Sequence, residues 1–190
     1  DDNDTINKQK IIDILYKNGF YEDDPRLCKF FSNLKILVKG SNLNYEEFKY
    51  CIENHICILK QILTQECIIP RFDIFCQRIE NIYNETLPHV DGENADYIPQ
   101  LSRVDSNQYG ISICTIDGQR YNLGDTDKEF TVQSCCKPIN YGIALEELGK
   151  KYVHKYVGRE PSGQAFNELL LNKNGIPHNP LINSGAIMTT

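Results

Sequence analysis

Residues 111–123, ISICTIDGQRYNL, decide the fold class of this 190-residue chain. Ile111, Ile113 and Thr115 alternate with Ser112 and Cys114, the two-residue period of a half-buried strand. Asp117-Gly118 supplies a two-residue turn into Gln119–Leu123, so the segment predicts a β-hairpin. What precedes it reads as helix, and the hairpin therefore moves the chain from all-α to α+β.

Upstream, apolar residues recur at helical spacing from residue 5 to 83. Ile11, Ile14 and Leu15 mark a first helix closed by Gly19. Asp24 and Pro25 open a second as N-cap and first turn, with Leu27, Phe30, Phe31, Leu34, Leu37 and Val38 along one face until Gly40. Asn44 with Glu47 forms a capping box for a third, which carries Phe48, Cys51, Ile52, Ile56, Leu59, Ile62 and Leu63. Beyond Pro70, Phe72, Phe75, Cys76, Ile79, Ile82 and Tyr83 make a fourth stripe. Four helices with short connections predict a bundle over residues 1–84. No D-x-D-x-D-G series lies between them, so calcium is not expected there.

Residues 85–96 are polar with Pro and Gly and read as a linker. From residue 97 to 190 the pattern is mixed α and β. It offers a short strand at 129–133, a helix through Ile143, Ala144 and Leu148 to Gly149, and a shorter one through Tyr152, Val153, Tyr156 and Val157 to Gly158. Gly163–Lys173 reads as another short amphipathic helix.

Composition sets outer limits on function. Net charge is −6, which argues against nucleic acid as the main partner, because phosphate binding needs a basic surface. No apolar run approaches the roughly 20 residues that span a bilayer, so no membrane span is expected. Eight cysteines without a CxxC pair, several of them (Cys28, Cys51, Cys57, Cys76) inside apolar stripes, read as buried free thiols. The four histidines keep no metal-ligand spacing with them, so no metal is expected. The acidic start at Asp1 fits neither a signal nor a transit peptide.

The chemistry concentrates in Gln133-Ser134-Cys135-Cys136-Lys137-Pro138, which holds an S-x-x-K. Three residues apart on a helix, Ser134 and Lys137 share a face, and a neutral lysine can take the hydroxyl proton. Lowering a lysine from a pKa near 10.4 to about 7 costs roughly 4–5 kcal/mol, within reach of burial. The motif alone is weak: Ser32-Asn33-Leu34-Lys35 is a second copy, mid-helix and expected to be solvated. Ser134 differs because it opens a helix, where free N–H groups and the helix dipole favour a developing oxyanion. Pro138 fits a first turn.

Tyr97-Ile98-Pro99-Gln100-Leu101, Gln133–Pro138, Glu160-Pro161-Ser162-Gly163 and the stretch His178–Ala186 (HNPLINSGA) occur in that order, and together they resemble the glutaminase family, its animal phosphate-activated members in particular. Asp117-Gly118-Gln119-Arg120 and Tyr152-Val153-His154 fit the same pattern. The resemblance implies an EF-hand-like helical bundle (1–84), a linker (85–96) and the first part of a β-lactamase-like serine catalytic domain (97–190). It implies hydrolysis of L-glutamine to glutamate and ammonia, with Ser134 as nucleophile, Lys137 as its activator, and Tyr97, Gln133, Ser134 and Asn183 contacting substrate. It further implies no cofactor, inorganic phosphate as activator, a homotetramer, and the mitochondrial matrix, with the cytoplasm as the alternative. Later family residues, including a substrate-binding glutamate and catalytic tyrosines, are expected beyond Thr190, so turnover is expected of a longer chain.

Without the family, Tyr97 reads as an aromatic anchor and Asn183 as a helix N-cap. Where relatives often have Asn-Ala-Gly-Ala, this chain has Asn183-Ser184-Gly185-Ala186. Two rival readings remain at this level: a non-catalytic fragment acting through its helices as an assembly module, and an S-x-x-K acylase for penicillin-like substrates, which would also need S-D-N and K-T-G elements.

Overall fold

A computed structural model describes residues 5–37, 40–163 and 171–190, with the backbone alone at Leu37. It divides into two compact units, residues 1–128 and 129–190.

In the first unit, helix α1 (Lys8–Lys17) begins where Asn7 Oδ1 accepts the Lys10 N–H at 3.1 Å. It stops where the Asn18 N–H folds back to the Ile14 and Leu15 carbonyls. Helix α2 (Cys28–Leu37) is prepared by Asp24, whose carbonyl takes the Leu27 and Cys28 N–H groups and whose Oδ1 takes the Arg26 N–H. Helix α3 (Tyr45–Ile52) carries the full capping box, Asn44 and Glu47 each satisfying the other's backbone N–H at 2.9 Å. Strands β1 (Ile6–Asn7) and β2 (Asn42–Leu43) pair antiparallel and tie the starts of α1 and α3 together.

The expected third helix is two. After α3 the chain turns at Glu53–His55 and restarts as α4 (Ile56–Leu63). His55 explains the break: its backbone N–H bonds to the Ile52 carbonyl at 2.7 Å, and its Nδ1 donates to the Arg26 carbonyl, 2.9 Å away. That second bond is made to a residue 29 positions earlier, so apolar spacing carries no trace of it. Helix α5 (Phe72–Thr86) completes the unit's helices. Leu15, Leu27, Phe30, Phe31, Leu34, Leu43, Cys51 and Ile62 form the core shared by α1, α2, α3 and α4. Each such side chain stabilises the fold by roughly 1.5–3 kcal/mol.

The hairpin forms from β3 (Gly110–Cys114) and β4 (Arg120–Gly124), in register from Gly110↔Gly124 to Cys114↔Arg120. Its turn is wider than a two-residue connection. The Gly118 N–H bonds to the Thr115 carbonyl and the Thr115 N–H to the Gln119 carbonyl, both at 2.9 Å, with Gly118 at φ +91°. A four-residue turn, Thr115–Gly118, that ends on a left-handed glycine leaves Gln119 free to face inward. Fully buried, Gln119 both accepts from the Ile69 N–H and donates to the Ile69 carbonyl at 3.0 Å. The hairpin thus belongs with the helices of the first unit. Asp117 Oδ2 takes the Ile68 N–H at 2.7 Å, and its carbonyl takes Arg26 Nη2 at 2.8 Å. The 85–96 segment is largely exposed; part of it lines, with residues 106–109, an open cleft of 590 Å³, and Asn94 donates to the Val104 carbonyl.

All eight cysteines are free thiols, but burial is rarer than their apolar neighbourhoods suggested. Only Cys51 and Cys67 are buried, while Cys28 and Cys57 are exposed and Cys76 is half-buried. Helical stripes are broader than the core they face, so their edge positions stay wet. Burial, with Asp117 nearby, pushes the Cys67 thiol up to about 11.

The second unit is built on α6 (Cys136–Leu148), which continues directly from a 3-10 turn at Gln133–Cys135. The short helix α7 (Lys150–Val153) follows, and α8 (Asn183–Met188) closes the unit. Ala144, Val153 and Val157 pack with Tyr141 and Leu145 between α6 and the α7 region. Residues 129–132 are not a strand: they form no ladder with any described residue, and an unpaired strand leaves its backbone groups unsatisfied. The helix expected over Gly163–Lys173 falls largely on residues 164–170, outside the described residues.

Candidate active site

Four of the five residues singled out by sequence lie in the second unit, and two chain segments bring them there. Gln133 and Ser134 form the 3-10 turn, and Lys137 sits in the first turn of α6. Gln133 has φ +48°, one of two non-glycine residues among the described ones with positive φ. Such a conformation costs on the order of 1 kcal/mol or more and is sustained where it aims a side chain. Here it bends the chain sharply just before Ser134, whose side chain is exposed.

Asn183 is the first residue of α8. It is not the N-cap: that position is held by Ile182 in extended conformation, without a side-chain cap. The Asn183 carboxamide is instead used across the unit, its Oδ1 accepting from Lys137 Nζ at 2.6 Å. Among the described residues no hydrogen bond joins Lys137 to Ser134. The Lys137 amine is therefore positioned by a residue 46 places later. Tyr97 lies in the first unit, 72% exposed, ahead of the 3-10 turn Leu101–Arg103.

The segment leading to Asn183 is fixed by residues to which sequence assigned no role. Asn179 Oδ1 accepts from the Leu181 and Ile182 N–H groups at 3.0 and 3.2 Å, and its Nδ2 donates to the Glu160 carbonyl at 2.9 Å. Asn179-Pro180 is a turn dipeptide, and that signal alone was available. The Gly158 N–H bonds to the Pro177 carbonyl and the Glu160 N–H to the His178 carbonyl. Residues 177–180 are thus bonded to 158–160 along their length.

A second polar pair braces α6. Tyr141 Oη lies 2.9 Å from His154 Nε2, and His154 Nδ1 lies 2.9 Å from the Val157 carbonyl. A carbonyl only accepts, so Nδ1 carries a proton and donates it to Val157. Tyr141 and His154 line a cleft of 620 Å³ with Pro138, Lys150, Arg159 and Asn179.

The other S-x-x-K has no such setting. Ser32 Oγ donates to the Cys28 carbonyl at 2.8 Å within α2, and Lys35 is ion-paired with Glu22. No cluster of His, Cys, Asp and Glu suited to a metal ion occurs among the described residues.

Comparison with known proteins gives this geometry a family. A model of the glutaminase family matches residues 92–190, and an EF-hand domain model matches residues 1–70. The mitochondrial liver isoform of glutaminase from Mus musculus is 39% identical over 185 residues, spanning 95% of this chain and 31% of its own length. A glutaminase of Rhizobium etli (strain CIAT 652) is 47% identical over 115 residues, covering 59% of this chain and 37% of its own. Among solved structures, Mglu in its tris and glutamate form matches 60% of this chain and 25% of its own, with TM-score 0.53 and 39% identity. The probable glutaminase ybaS matches 60% and 37%, with TM-score 0.51 and 35% identity. The chain thus spans about a third of the length of the curated relatives it matches.

Proposed function

The chain belongs to the glutaminase family, and from that premise we propose that it supplies the nucleophile and its activating amine to an enzyme hydrolysing L-glutamine to L-glutamate and ammonia. The observation that carries the proposal is the Lys137–Asn183 hydrogen bond, which joins the two separate motif segments that bear the candidate residues. A strained turn immediately before Ser134 supports it, since a nucleophile is best offered on a bend that leaves its hydroxyl accessible.

In this reading Ser134 Oγ attacks the side-chain amide carbon of glutamine as its proton passes to neutral Lys137. The C–N bond breaks, the nitrogen takes a proton from Lys137 and leaves as ammonia, and a γ-glutamyl ester remains on Ser134. Water then cleaves the ester, releasing glutamate and restoring the hydroxyl. Lys137 must swing from Asn183 towards Ser134 for the first step, a rotation its long side chain allows. The Ser134 N–H contributes to an oxyanion hole. Gln133, Asn183 and Tyr97 hold the ammonium and carboxylate of the substrate.

The same membership supports a β-lactamase-like catalytic fold with an EF-hand-like bundle before it, a homotetrameric working form, activation by inorganic phosphate and no cofactor. The name of the mouse relative places that protein in mitochondria, and we extend the mitochondrial matrix to this one.

Ammonia release from glutamine, measured on a chain as long as the relatives, tests the proposal. Ser134→Ala is expected to abolish turnover, and Lys137→Met to lower kcat by about a thousandfold or more. Unchanged release in Ser134→Ala overturns the mechanism.

A further inference from the structure

The helical unit carries an apolar groove of 480 Å³ between α1, α3 and α4 that the proposed chemistry does not use. Leu15 and Phe30, both buried, form its floor. Ile6, Ile56 and Leu63 stand at its mouth, the last two more than half exposed at 53% and 57%. Exposed apolar residues scattered singly need no explanation, but a cluster converging on one groove marks a contact surface.

The charge of the lining is one-sided. Its only charged residues are Lys10 on α1 and Lys60 on α4, in a chain whose net charge is −6. Neither has an acidic partner among the described residues, although four other ion pairs form there. Apolar walls bordered by unpaired cations on two different helices call for a ligand that is apolar on one side and anionic at more than one point.

We propose that this groove seats an acidic amphipathic helix of a partner protein. Apolar side chains at i, i+3 or i+4, and i+7 enter the groove, and flanking carboxylates meet Lys10 and Lys60. A single-headed amphiphile such as a fatty carboxylate would answer one lysine and leave the other unpaired. A basic helix would place like charges against both.

The test uses the 190-residue chain and two labelled synthetic peptides with the same apolar positions, one flanked by Glu and the other by Lys. Fluorescence anisotropy is expected to show saturable binding of the Glu peptide, weakened by added salt, and none of the Lys peptide. Lys10→Glu with Lys60→Glu is expected to weaken the Glu peptide by roughly tenfold or more. Leu63→Asp, at an exposed position, is expected to abolish binding without changing the thermal midpoint. Equal binding of both peptides, or binding of neither, overturns the proposal. So does laurate that binds the groove and displaces the peptide, or a dimer of this chain that Leu63→Asp dissociates. None of these outcomes depends on glutamine hydrolysis.

Discussion

Ser184 Oγ is enclosed in the second unit, 6% exposed, with no hydrogen-bond partner among the described residues. A buried hydroxyl left unsatisfied costs about 1–3 kcal/mol. Ser184→Ala is accordingly expected to leave α8 in place and raise stability by about 1 kcal/mol, read as a higher urea midpoint at unchanged slope. Its neighbour Gly185 has the opposite character. A Cβ there would stand 1.8 Å from the Asn179 carbonyl oxygen, a backbone atom that Asn179's own hydrogen bonds hold in place. Gly185→Ala is expected to destabilise by about 1–3 kcal/mol or more, seen as a lower thermal midpoint. At this scale the motif residues were legible in sequence because S-x-x-K and N-S-G are local patterns. The partner of Lys137 was not, because a side chain chooses among acceptors that only folding assembles.

Among the elements, the capping box of α3 and the hairpin strands could be read from a handful of consecutive residues, since their hydrogen bonds close within the segment. The division of α3 from α4 and the loss of a strand at 129–132 could not, because a contact 29 residues away makes the first and the lack of a ladder partner the second. Gln119 shows how an element is docked. Its carboxamide replaces a stretch of sheet, satisfying both backbone groups of Ile69 from a fully buried position. Gln119→Leu keeps the apolar volume but strands those two groups. The expected loss is roughly 2–3 kcal/mol, measured by chemical denaturation, with faster amide exchange at Ile69.

For the molecule as a whole, acid stability follows from carboxylates held in their charged form. Asp24, 6% exposed, is hydrogen-bonded by the Arg26 guanidinium, and this holds its carboxyl below the usual range. Hydrogen bonds from Lys35 lower Glu22, and those from Arg120 lower Asp23. A carboxyl whose folded pKa is depressed contributes stability above its unfolded pKa, near 3.9 for Asp, and loses it as pH falls through the folded value. Thermal midpoints are therefore expected to drop below about pH 4. Asp24→Asn is expected to lower stability at neutral pH by roughly 2 kcal/mol and to flatten that acid decline. A pH profile parallel to that of the unsubstituted chain would contradict the assignment to Asp24.

The sequence alone determined the helical character of the first 84 residues, the hairpin that makes the chain α+β, and the family to which Ser134, Lys137 and Asn183 point. These are matters of period, turn chemistry and short motifs, all written within a few residues of one another. Tertiary structure alone decided that the hairpin packs with the helices, that Lys137 is held by Asn183, and that two lysines border an apolar groove. Each of those joins residues far apart in the chain, and no local energy term links them until the backbone has brought them within a few ångströms.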